Sequence, residues 1–195
     1  MMGSQKRKTS ASKAETANFF SELEQQIVQR IRTEASSDEG RKELLDRTGL
    51  HDEELLAELT RLGITADGVI ALRLFPLVLV AWADGTVEDG ERSAVMTQAV
   101  RLGIGQDSTA WILLHQWLMK RPPSVCVDAW RRYIHETFSH MSHVAQSHLI
   151  EHTEKQMMTV ANASGGHLGI GKVSKREHAI IRQIIQTMRG QALSR

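Results

Sequence analysis

Residues 69–95 read VIALRLFPLVLVAWADGTVEDGERSAV, and the first half of that stretch decides the fold. From Val69 to Ala83 almost every side chain is apolar, so the helix it predicts shows hydrophobic surface on all sides and belongs at the centre of a bundle. Its uncharged apolar run, residues 74–83, is ten residues long, about half of what a bilayer span takes. The expectation is a buried helix and no membrane segment. Pro76 lies inside the run and has no N–H to donate, so the helix either begins at Pro76 or bends there. Beyond Ala83 the apolar character stops at Asp84-Gly85. Val87 makes a short hydrophobic bridge, and Glu88 to Glu91 place acids at the positive end of a second helix.

Working outward, apolar residues recur at three and four rather than two throughout the chain. Phe20, Leu23, Ile27 and Ile31 predict an amphipathic helix of about twenty residues. Short helices follow around Leu44 and Leu45, and from Asp52 through Leu59 to Gly63. After the central helix come helices over about 88–102 and 108–120, the latter stopped by Pro122 and Pro123. Three more are expected, carrying Ala129 to Phe138, covering about 142–162, and covering 174–188. With three Pro, one Tyr and four Phe in 195 residues, a sandwich or barrel has too few turn and strand residues. The fold class is all-α, a helical bundle. Residues 1–13 read as a disordered basic tail, residues 14–63 as a helical N-terminal arm, and residues 64–195 as the main helical domain.

Charge is unevenly spread. Lys and Arg number 24 against 23 Asp and Glu. Residues 1–16 hold four Lys/Arg against one Glu, and residues 172–195 six against one, so both ends are basic and the body between them is acidic. No aromatic side chain is interleaved with the basic ends, which leaves bases no stacking platform, and a nucleic-acid role is not expected. Cys126 is the single cysteine, so neither an intramolecular disulfide nor a thiolate zinc set is available; a reducing, cytoplasmic setting is expected.

Two segments resemble each other. Residues 83–95, ADGTVEDGERSAV, and residues 172–181, KVSKREHAII, each set a Val before a capping group and an apolar helix face. Ser174-Lys-Arg-Glu177 is an S-x-x-E capping box, and in the first copy Glu88 takes the cap position with Glu91 at the third helical one. An apolar helix ending in Ala83-Asp84-Gly85, a Val87 bridge and then Glu91-Arg92 resembles the pattern of TerB-like, tellurite-resistance type domains. Ala161-Asn162-Ala163-Ser164-Gly165 looks like its weaker second copy, with Ser164 where the Asp stands and a glycine-rich insertion after it. The resemblance covers roughly residues 65–190. It implies a core of two degenerate helix-turn-helix repeats in a non-enzymatic protein of a bacterial stress or tellurite-resistance system. The same resemblance implies a divalent cation, or a protein partner, held by the acidic turn. A structural adaptor without metal, making subunit or homo-oligomer contacts through the acidic arm and the basic C-terminal helix, is the alternative.

The residues themselves offer two candidate metal sites. Asp84, Glu88, Asp89 and Glu91 put four carboxylates within eight residues at a turn, a donor set suited to Ca²⁺ or Mg²⁺. It is not an EF-hand, because Asp89 and Val95 stand where the loop needs Gly and Glu. Glu88, Asp89 and Glu91 also favour a helix N-terminus with no metal at all. The second candidate is histidine. His135, His140, His143, His148 and His152 fall within eighteen residues, with His148 and His152 on one helical face at i, i+4 and His140 and His143 at i, i+3. Either pair could take Zn²⁺ with a third ligand from elsewhere. His148-Leu-Ile-Glu151-His152 has the H-x-x-E-H order of inverzincin peptidases, but Glu177 is the only acid among the last forty residues, and no peptidase is expected. The plainer account is a polar helix face.

Overall fold

The computed structural model describes residue 22, residues 25–164 and residues 173–193. Among these residues there are nine helices and no strand. They are α1 (25–35), α2 (Asp38–Thr48), α3 (Glu53–Arg61), α4 (Ala71–Ala81), α5 (Asp89–Arg101), α6 (Thr109–Met119), α7 (Val125–Ser139), α8 (His143–Ala161) and α9 (Lys175–Leu193). The proposed tail, Phe20, Leu23 and the insertion at 165–171 lie outside the described residues.

Local chemistry explains where most helices start. Asp52 accepts hydrogen bonds from Glu54 N and Leu55 N to cap α3. Ser108 accepts from Trp111 N to cap α6, and Ser142 from Ala145 N to cap α8. Such caps satisfy amide donors that have no partner inside the helix. At the start of α9 both halves of the capping box form: Glu177 N donates to Ser174 Oγ at 3.1 Å, and Ser174 N to Glu177 Oε2 at 2.6 Å.

The apolar helix is central, as its composition demands. On α4, Leu72, Leu74, Phe75, Leu77, Val78 and Val80 have no solvent exposure, and α5, α6, α8 and α9 pack against it. Phe75 meets Trp117 of α6 edge to face with ring centroids 5.2 Å apart, and Trp82 Nε1 donates to the Trp117 carbonyl at 2.7 Å. The segment differs from expectation at its start. Residues 67–70 form successive tight turns, with Ala71 N donating to Gly68 O and Leu72 N to Val69 O, so α4 begins at Ala71 and runs through Pro76 as an interior residue. It neither starts at Pro76 nor breaks there; Pro76 is itself buried, and the surrounding apolar contacts outweigh one missing backbone bond.

The arm is docked on the bundle. Leu44, Leu55, Leu56 and Leu59 join the same buried cluster as α4, and Arg132 of α7 reaches Glu54 and Glu58 of α3. The histidine-rich stretch is divided between two helices: His135 lies on α7, His140 caps its end, and His143 opens α8. His140 and His143 therefore do not share a helical face. The break is stabilised by Gln146, whose Nε2 donates to the Phe138 carbonyl at 2.8 Å and the Met141 carbonyl at 3.2 Å.

Candidate functional site

The two resembling segments come together in space. Helices α4 and α5 pack on each other, α8 and α9 do the same, and α8 lies against both α4 and α5. In the first turn Gly85 N donates to the Trp82 carbonyl at 3.0 Å, and Gly85 has φ 94°, a conformation that strongly favours glycine. The second turn closes when Ser164 Oγ donates to the Ala161 carbonyl at 2.7 Å. The turns touch at Gly90: a Cβ there would stand 2.1 Å from the Ala163 carbonyl oxygen. Only a glycine lets the start of α5 approach the end of α8 so closely.

Of the four carboxylates in the acidic turn, the structure turns one inward. Asp89 is fully exposed and its Oδ1 is 4.0 Å from Arg92 Nε. Glu88 is exposed as well. Asp84 is about half exposed, and its Oδ1 lies 3.8 Å from Arg176 Nη1, a weak bridge from the first turn to the start of α9. Glu91 alone is buried, at 4% exposure, and its Oε2 accepts from Glu88 N at 2.8 Å.

The partner of Glu91 is Glu177, which is 2% exposed. Burial pushes Glu91 up to about 7. The hydrogen bond from Glu88 N opposes the rise, while the charges of Glu177, Glu88 and Asp84, in that order, reinforce it. Glu177 Oε1 is buried without a hydrogen-bond partner. Glu91 at the start of α5 and Glu177 at the start of α9 are thus both buried, and the charge of Glu177 bears on Glu91 more than that of Glu88 or Asp84. A shared proton, or a cation with its waters, relieves such a pair.

Sequence reading placed Glu177 in a cap and not in a site. Laying the second copy under the first sets Glu177 opposite Glu91, and that correspondence was the available signal. His148 and His152 do share the exposed face of α8. Among the described residues no three His, Cys, Asp or Glu side chains form a group able to hold a metal ion. Cys126 is buried on α7, and burial raises its thiol to about 11, which leaves little thiolate at neutral pH. No described helix is long and apolar enough to cross a membrane.

Fold and site together define an all-α helical bundle in which two buried glutamates, Glu91 and Glu177, stand at the starts of α5 and α9. No protein-family model, curated protein or solved structure matches the chain.

Proposed function

We propose that the chain is a non-enzymatic TerB-like module of a bacterial stress or tellurite-resistance system, and that its paired turns take up a divalent cation. The observation that supports this reading is that Glu91 and Glu177 are both buried, that the charge of Glu177 adds to the rise burial imposes on Glu91, and that Glu177 Oε1 lacks a donor. Such a pair is expensive when both groups are ionised, and a hard cation offsets the repulsion directly. Mg²⁺ suits it best, because Mg²⁺ keeps several waters and is commonly held by one or two carboxylates. Ca²⁺ takes six to eight oxygens, more than two carboxylates supply, so waters and backbone carbonyls would have to complete its shell. Zn²⁺ is disfavoured, since no imidazole or thiolate belongs to the pair.

The test is thermal unfolding at pH 8, where Glu91 is mostly ionised, with Mg²⁺, Ca²⁺ or a chelator. Either cation at about a hundred times its Kd should stabilise the fold by about 2.7 kcal/mol, and Glu177→Gln should remove the effect. A wild-type midpoint that ignores both cations would leave the cation reading without support. A protein partner at the acidic turn is favoured by one observation: Glu88 and Asp89 face solvent and offer a basic partner two carboxylates. Replacing both by their amides should then weaken partner binding and leave any cation effect intact.

A further inference from the structure

A cleft of about 580 Å³ opens between α4, α7, α8 and α9, on side chains that the carboxylate pair does not use. Its floor is apolar, with Ile134 and Met188 buried and Leu149 half-buried. Around the mouth stand Arg73, Tyr133, Thr137, His148 and His152, and no Asp or Glu lines it. That selection is marked in a chain whose acids and bases are nearly equal in number. Arg47, Arg92, Arg131, Arg132 and Arg176 each face a carboxylate. Arg73, like several other arginines, takes part in no ion pair among the described residues; it is exposed at the mouth, and its charge is felt by the Tyr133 phenol, whose pKa is raised chiefly by burial.

We infer that this cleft binds a small organic carboxylate, with the apolar body on the Ile134, Leu149 and Met188 floor and the carboxylate against Arg73. The volume falls within the range of about 300–1,000 Å³ of small-molecule sites, which combine an apolar lining with a few polar groups that orient the ligand. A guanidinium presents two parallel N–H donors to a carboxylate, and the Tyr133 hydroxyl and the imidazole N–H groups are further donors at the same mouth. The occupant is an anion because every ionisable group at the mouth is cationic or neutral at pH 7, with nothing to repel a carboxylate.

The probes are 4-phenylbutyrate and its uncharged counterpart 4-phenylbutan-1-ol, titrated into the full chain at pH 7 and followed by ¹H–¹⁵N NMR. Saturable shifts from the butyrate should gather on Thr137, Met141, Ala145 and Thr153. Arg73→Met should weaken the butyrate about tenfold, the loss of one charge-assisted hydrogen bond or more, and change the alcohol less than twofold. Ala145→Phe, which fills the cleft from α8, should abolish both. Arg121→Met, in the separate groove lined by Ile31, Arg32 and Trp117, should change neither. Shifts that gather in that groove, no saturation in the millimolar range, or equal losses of butyrate and alcohol in Arg73→Met would each overturn the assignment.

Discussion

Glu91 is the residue whose chemistry is most displaced from its ordinary state. Its folded pKa is about 7, against 4.5 for a free glutamate, so between those values the folded chain holds a proton that the unfolded chain has released. Stability therefore falls as pH rises from about 4.5 to 7 and is level above that window, a loss on the order of 3 kcal/mol. Glu91→Gln keeps an oxygen to accept from Glu88 N and removes the charge. The variant should be more stable than wild type at pH 8, and its urea midpoint should be flatter across the window. A wild-type midpoint that rises through that range would refute the buried, repelled state of Glu91. Gly90 is the second decisive residue. Since an added methyl meets the Ala163 carbonyl, Gly90→Ala should cost about 1–3 kcal/mol, although alanine is ordinarily the better helix former. A gain in urea midpoint would show that the two turns can part without cost.

At the scale of elements, the capped starts were legible because a cap is a local bargain between neighbouring residues. Ser108, Ser142 and the Ser174/Glu177 box all announce themselves within four positions, and all form. Ser174→Ala should accordingly cost about 1 kcal/mol. Ser164→Ala, removing a hydroxyl that only folds back on its own helix end, should cost less; the check is the difference in urea midpoint at constant slope. Equal losses would give Ser164 a role beyond closing its turn. What sequence concealed depends on contacts distant in the chain. Of the two positions the sequence allows Pro76, the start of α4 or its interior, the structure takes the interior, and the burial of its neighbours from several sides, which decides between them, is not visible in a window of neighbours. The break between α7 and α8 is legible in the sequence, which predicts a helix ending near Phe138 and another from about 142; the contact that closes it, Gln146 folding back onto the Phe138 carbonyl, is not. Helix α9 runs to Leu193 rather than 188: Gly190, two residues after Met188, does not stop it and is carried inside the helix, and no proline follows.

At the scale of the whole molecule, the candidate site depends on packing between helices far apart in the sequence: α8 lies against α4, α5 and α9, and the charge of Glu177 on α9 is felt by Glu91 on α5. The acidic turn was visible in the sequence as four clustered carboxylates, but the sequence carries no depth, and only depth separates Glu91 from Glu88 and Asp89. Whether Glu91 and Glu177 form a cation site is decided by the ¹³C carboxylate signal of Glu91, titrated with pH in chelator and then in Mg²⁺ or Ca²⁺. A midpoint near 7 in chelator that drops toward the ordinary glutamate range when the cation is present is the predicted result, because the ion binds only the ionised pair. A midpoint that stays near 7 in both would mean that the pair holds a proton and no metal, and would contradict the claim.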